Sequence, residues 1–242
     1  MTSHAACKGH APENTLAGIA KAIELEADAI EVDVRCTLDG VPVLLHDEVV
    51  DRTTDGAGAV QQLSLAELRK LDAGARQFVP RFRWERVPTL LEALELTRGH
   101  ALLQIEIKQA NIECHVADAV RSLSAVSDCE VHSFSPHMVK RMREVEPRMA
   151  AALLTDGRGV VDWADLYGFA LSLNAQGVSV FHEAVTPERT RQGQLRSLTF
   201  MTWTVDDAAE MERMLTAGVD SICTNFPDIG RGVVDGVATT GG

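Results

Sequence analysis

From Ile30 to Asp47 the chain reads IEVDVRCTLDGVPVLLHD. Ile30, Val32 and Val34 alternate with Glu31, Asp33 and Arg35, a period of two that predicts a strand with both acids on one face. Val41, Val43 and Leu45 mark a second strand, rich in β-forming residues. Between them stands Asp39-Gly40, a dipeptide favoured in two-residue type I′ hairpin turns. Such a turn sets Leu38 opposite Val41, Cys36 opposite Val43 and Asp33 opposite His46. Directly opposed side chains lie about 5 Å apart at Cβ, so two carboxylates and an imidazole converge on one face. A hairpin with its charges in water is the plain interpretation. A polar triad in register within otherwise apolar strands points instead to a metal or acid–base site.

Before this ribbon, the chain begins with a short segment readable as a strand ending at His4. Pro12-Glu13-Asn14-Thr15 then opens an apolar helix carrying Leu16, Ile19, Ala20 and Ile23. After it come a turn-rich loop, Asp51 to Val60, and a helix opened by the capping box Ser64-x-x-Glu67. Arg76 to Val87 is basic with Phe78, Phe82 and Trp84 interleaved, and is expected to pack its aromatics over the domain rim.

From Pro88 onward, strands and helices alternate. Strands are expected at Ala101–Lys108, Cys129–Phe134, Ala150–Leu154, Phe169–Leu173, Leu198–Val205 and Val219–Thr224, each preceded by a helical stretch. Alternation of this kind builds a parallel sheet with right-handed crossovers. With the return strand of the hairpin treated as an appendage, eight parallel strands result, ending near His4, Asp33, Lys108, Phe134, Leu154, Asn174, Val205 and Thr224. That predicts an α/β chain forming a single (β/α)8 TIM barrel over residues 1–242, with a hairpin and a short insertion (48–88) after strand 2 and a flexible tail (232–242). An open doubly wound sheet is the alternative, and it lacks the Gly-rich phosphate loop after its first strand.

The formal charge is −12, which argues against nucleic acid and anionic membrane partners. No apolar run is long enough to span a bilayer and no signal peptide is visible, so a cytoplasmic protein without stable membrane insertion is expected. Five scattered cysteines without a C-x-x-C motif give no disulfide framework or zinc knuckle, and most read as small core residues. Nothing in the sequence sets the oligomeric state.

In a barrel, chemistry sits at the C-terminal ends of the strands. There the sequence places His4, Glu31, Asp33, Glu106, Lys108, Phe134, Asn174, Trp203 and Asn225, with His46 brought in by the hairpin. Gln104, Glu106 and Lys108 share one face of their strand, unusual where both faces are normally apolar. Glu31, Asp33 and Glu106 make an oxygen cage suited to a hard divalent cation, Mg²⁺ or Ca²⁺, and Lys108 either neutralises it or meets an anionic substrate. A buried ion pair of Glu106 with Lys108 is the purely structural alternative. His4 and His46 are candidate acid and base for phosphoryl transfer. Trp203 with Phe134 offers an apolar wall. Most of the other histidines, His132 among them, read as surface residues.

The ordered segments HAPENTLAG, IEVDVRCTLDGVPVLLHD, IEIK, HSFSP, WTVDD and TNFPD resemble the glycerophosphodiester phosphodiesterase family, from His4 to Pro227. The resemblance implies a (β/α)8 barrel that hydrolyses small-molecule glycerophosphodiesters to an alcohol and glycerol 3-phosphate with a divalent cation. It implies Glu31, Asp33 and Glu106 as metal ligands, His4 and His46 as catalytic histidines, and Lys108 near the phosphate. One departure stands out. The family opens with His-Arg-Gly five residues before Pro-Glu-Asn-Thr, and here those positions read His4-Ala5-Ala6. The phosphate-binding arginine is Ala5, which offers no bidentate fork. Lys8 could reach the phosphate instead, the substrate could present its charge differently, or the chain could be a weakly active, ligand-binding member.

Overall fold

The computed structural model describes residues 1–240, with side chains as far as Gly236. In chain order, the first third holds β1 (Thr2–Ser3), α1 (Leu16–Glu24), β2 (Ala29–Cys36), β3 (Pro42–Leu44), α2 (Leu65–Leu68) and α3 (Leu90–Thr97). The middle holds β4 (Leu102–Ile107), α4 (Glu113–Ser122), β5 (Cys129–Ser133), α5 (Pro136–Val145), β6 (Ala150–Thr155) and α6 (Trp163–Ser172). The last part holds β7 (Gly177–Phe181), α7 (Pro187–Gln194), β8 (Thr199–Trp203), α8 (Ala208–Thr216), β9 (Ser221–Thr224) and α9 (Pro227–Thr240). Eight strands run parallel in the order β1-β9-β8-β7-β6-β5-β4-β2, and β1 pairs with β2 to close the barrel. β3 alone is antiparallel, an appendage on β2.

Local chemistry sets the helix starts. Thr15, Ser135 and Thr186 cap α1, α5 and α7 through their hydroxyls, and Pro stands in the first turn of the latter two. Ser64 and Thr89 form full capping boxes with Glu67 and Glu92. The apolar core lies between barrel and helices. Ile30, Val32, Leu103, Ile105 and Val131 face outward from their strands onto α1, α3 and α4. Their neighbours in sequence face inward, and on β2, β4 and β5 these include Glu31, Asp33, Gln104, Glu106 and His132.

The hairpin differs from its expected register by one residue. Val34 pairs with Leu44, Arg35 with Val43 and Cys36 with Pro42, so Asp33 faces Leu45 rather than His46. The turn is a three-residue loop in which Gly40 takes φ +77° and donates to the Thr37 carbonyl. Thr37 holds the loop, accepting from Val41 N and donating to Asp39. The sixth barrel strand is also displaced. Phe169–Leu173 lies in α6, and the strand is Gly177–Phe181. Asn174 therefore follows a helix, with φ +58°, and is no strand end. The tail expected to be flexible from Gly232 is helical as far as Thr240, and residues 241–242 lie outside the described ones. The 76–87 loop keeps Phe78 and Trp84 exposed instead of packing them down.

Candidate active site

The backbone of β2 aims Glu31 and Asp33 into the barrel, and its neighbour β4 sets Glu106 beside Asp33. The three carboxylates offer oxygens that lie within 4.8 Å of one another. Each has a different environment. Glu31 Oε2 accepts from the Ala5 amide at 2.7 Å, whereas its Oε1 is buried without a hydrogen-bond partner. Asp33 Oδ2 accepts from the Asn14 side-chain amide at 2.7 Å, and Asn14 Oδ1 accepts from Asp33 N at 2.9 Å. Lys108 Nζ lies 2.6 Å from Glu106 Oε1 and 3.1 Å from Asp33 Oδ1. The family-like Asn14 thus locks the orientation of Asp33, a role its position in a helix-opening motif did not reveal.

Burial, with the negative neighbours Asp33 and Glu106, holds the Glu31 carboxyl well above the usual range. Burial also raises Glu106, with Asp33 adding to it against the pull of Lys108. Burial alone would discharge Lys108, but Asp33 and Glu106 outweigh it and raise its pKa. Three carboxyl groups thus crowd around a single ammonium.

A cavity of about 340 Å³ opens onto this cluster. His4, His46, Glu31, Glu106, Lys108, Phe134 and Trp203 all line it. Asp33 lies just behind, almost wholly buried. The two histidines reach the cavity by different routes. His4 follows β1 directly, and its Nδ1 lies 2.7 Å from Asn225 Oδ1. Asn225 is in turn oriented by Asp206, to which it donates through Nδ2 at 2.7 Å and through its main-chain N at 2.9 Å. His46 comes in because β3 stops at Leu44. Arg35 Nε holds the His46 carbonyl at 3.0 Å, and His46 Nδ1 lies 2.7 Å from Asp47 Oδ1. Asp47 binds Arg52, whose guanidinium forks onto buried Glu13 at 2.6 and 2.9 Å. Arg52 hydrogen bonds bring Asp47 down to about 2, against its burial.

Phe134 and Trp203 meet edge to face at 5.3 Å on the cavity wall, and Trp203 Nε1 donates to the Ser179 carbonyl. Ala5 is 2% exposed and its φ is +45°; Ala6 follows at +68°. Lys8 Nζ lies 3.4 Å from Glu13 Oε2, engaged away from the carboxylate cluster.

His132 corrects the expectation of a surface residue. It is 4% exposed, projects from β5 into the cavity, and its Nε2 lies 2.9 Å from Glu130 Oε1. Gln104 donates to the same oxygen at 2.6 Å. Burial opposes the charge on Glu130, yet His132 lowers its pKa. The alternation of Glu130 and His132 on one strand was the available signal. Among the cysteines, Cys7, Cys36 and Cys129 are buried, Cys114 is exposed, and Cys223 lines the cavity. Among the described residues, no helix is long and apolar enough to cross a membrane.

Residues 4–229 match the glycerophosphoryl diester phosphodiesterase family. The chain is 36% identical to the glycerophosphodiester phosphodiesterase of Caldanaerobacter subterraneus subsp. tengcongensis over 94% of each protein. Among solved structures, it superposes on the glycerophosphodiester phosphodiesterase of Agrobacterium tumefaciens with a TM-score of 0.84 at 32% identity, covering 95% of this chain and 97% of that one. An Oleispira antarctica phosphodiesterase solved with sn-glycerol-3-phosphate shares the fold, with a TM-score of 0.86 at 24% identity over 97% of this chain and 96% of that one. Sequence match, barrel and site agree: the chain belongs to the glycerophosphoryl diester phosphodiesterase family, phosphoric diester hydrolases that act on glycerophosphodiesters.

Proposed function

We propose that this chain hydrolyses glycerophosphodiesters to an alcohol and glycerol 3-phosphate, with a divalent cation held by Glu31, Asp33 and Glu106 and with His4 and His46 moving the protons. The observation that carries this reading is the opening of one cavity onto a carboxylate cluster and two imidazoles, each tied back through Nδ1. The all-oxygen donor set and the orphaned Glu31 Oε1 fit a hard cation such as Mg²⁺ or Ca²⁺. When bound, such a cation polarises the phosphoryl oxygens.

The chain's own groups supply the rest. Asn225 and Asp47 accept from the two Nδ1–H groups, which leaves each Nε2 for proton transfer. One imidazole takes the proton of the attacking hydroxyl, from water or a neighbouring substrate hydroxyl, and the other protonates the departing alkoxide. Lys108 adds positive charge beside the phosphoryl group. Phe134 and Trp203 form the wall for the alcohol portion.

Ala5 favours a second reading, a member that binds glycerophosphate-like ligands but turns over poorly. Losing a preorganised cation at the phosphoryl group costs roughly 10²–10³ in rate, by analogy with an oxyanion donor. Release of glycerol 3-phosphate from glycerophosphocholine, with Mg²⁺, Ca²⁺ or EDTA, tests both on this chain and on Ala5→Arg. EDTA-sensitive turnover by the unaltered chain supports the enzyme reading. Turnover only by Ala5→Arg supports the second, and an inert pair with every cation overturns the first.

A further inference from the structure

The insertion between β3 and α3 contains a closed loop whose composition contrasts with the rest of the chain. Its ends meet where Ala73 N donates to Glu85 O at 2.7 Å. Gly74 lies so close to the Phe82 carbonyl that a Cβ there would approach within 1.5 Å, so the base of the loop is tightly built. From this base project Phe78, 42% exposed, Val79, 53% exposed, and Trp84, 75% exposed. Arg81 lies over the Phe82 ring and Arg83 over the Trp84 ring, each 5.0 Å from the centroid. Residues 76–86 hold four arginines against one glutamate, in a chain whose formal charge is −12.

The loop also has a position. It lies between the antiparallel strand β3 and α3, and Gln77 exchanges hydrogen bonds with Glu13, the residue that carries Arg52 and, through it, Asp47 and His46. One edge of the loop is thereby tied to the network behind His46.

We propose that this loop docks the protein on a bilayer surface bearing anionic headgroups, with Phe78, Val79 and Trp84 entering the interface and Arg81 and Arg86 meeting the headgroups, while Arg83 stays paired with Asp72 and Arg76 with the Thr54 carbonyl. Aromatic and aliphatic side chains ringed by cations partition at the headgroup level, and each arginine near an anionic surface adds to the attraction. A nucleic acid would use the arginines and stack on the rings, but it gives exposed Val79 no partner. An extended polyanion would also run from this short patch onto an acidic surface, whereas a bilayer is met by the loop tip. The inference does not depend on turnover.

The test is co-sedimentation of the full chain with vesicles of phosphatidylglycerol and phosphatidylcholine in equal parts, compared with pure phosphatidylcholine. Two double variants accompany it, Val79→Ser with Trp84→Ser, and Arg81→Glu with Arg86→Glu. The expected result is binding to the anionic vesicles that weakens with salt and falls roughly tenfold in each double variant. Hydrolysis of soluble glycerophosphocholine and the melting temperature stay unchanged, which separates lost docking from lost folding. No binding of the unaltered chain to anionic vesicles, equal binding by the variants, or preferential binding to a single-stranded oligonucleotide each overturns the proposal.

Discussion

His4 and Asn225 lie 2.7 Å apart, imidazole Nδ1 to amide Oδ1, just beyond the paired strands β1 and β9. The amide cannot turn freely, because Asp206 accepts from its nitrogen at 2.7 Å. Only an oxygen is therefore presented to His4, and the ring must donate through Nδ1. His46 is oriented by the carboxylate of Asp47 and His4 by an uncharged amide, so the two imidazoles have unlike partners.

Asn225→Leu keeps the approximate volume and removes the acceptor. Under the proposed mechanism, the tautomer and ring orientation of His4 are then unfixed, and kcat falls on the order of 10²-fold. KM and melting temperature change little, because Asn225 is a positioning residue and does not hold substrate. Steady-state kinetics alongside a melting curve check this. A fall confined to KM would remove the assigned role.

Glu31→Gln separates cation binding from folding. Glu31 sits buried beside Asp33 and Glu106 with one oxygen unpartnered, so without a cation its carboxyl is poorly accommodated. The amide oxygen can still accept from Ala5. The cation-free variant is therefore expected to gain about 1–2 kcal/mol, or roughly 2–8 °C in Tm. The unaltered chain should be stabilised further by Mg²⁺ or Ca²⁺, and the variant should not. Calorimetry with and without each cation reads both effects, and an equal cation shift in the two proteins would remove Glu31 from the ligand set.

The barrel and most of the candidate site were legible because the signal was local. Glu31-x-Asp33 and Glu106-x-Lys108 alternate with apolar residues, and that period survives whatever the long-range pairing. The hairpin register was not local in that sense. Asp39-Gly40 suits either a two-residue or a three-residue loop, and Thr37 decides it through hydrogen bonds that composition does not announce. His46 still reaches the cavity, because the strand ends before the one-residue slip can turn it outward. The sixth strand was missed because Phe169–Leu173, four apolar residues and one serine, fits strand or helix equally. In the fold, Tyr167 and Ala170 bury one helix face and leave Phe169 and Leu171 exposed. The true strand carries Gly177 and Ser179 on the barrel side and so reads as weak.

Acid should expose the network behind His46. Arg52, followed by Gln77 and Lys8, brings buried Glu13 down to about 2 from an ordinary 4.5, overcoming the opposing effect of burial. A carboxylate depressed in the folded state adds stability above its unfolded pKa and loses it as pH falls toward the folded one. The expected contribution is roughly 1–2 kcal/mol at neutral pH, allowing for solvent screening at the half-exposed Arg52. Urea unfolding of the unaltered chain and Glu13→Gln should differ most at neutral pH. The difference should shrink through pH 4.5 and vanish near 2, the limits set by the two pKa values. A difference that does not depend on pH would assign the effect to packing.

Glu130 and His132 pose the sharpest question about the cavity floor, since a buried carboxylate–imidazole pair on an inward strand is costly where apolar residues would pack. Removing one partner strands the other: His132→Leu leaves Glu130 with Gln104 alone and is expected to cost about 3–5 kcal/mol. Replacing both by leucine should recover most of that loss, because no charge is then left unpaired. If the doubly substituted protein is stable yet hydrolyses poorly, the pair serves the cavity's chemistry. If it is stable and fully active, the pair is a structural feature of the floor. Chemical denaturation of the four proteins of this cycle, with turnover measured on the stable ones, distinguishes the cases. Equal destabilisation by the single and double replacements would instead mean that leucine does not fit beneath the carboxylate cluster.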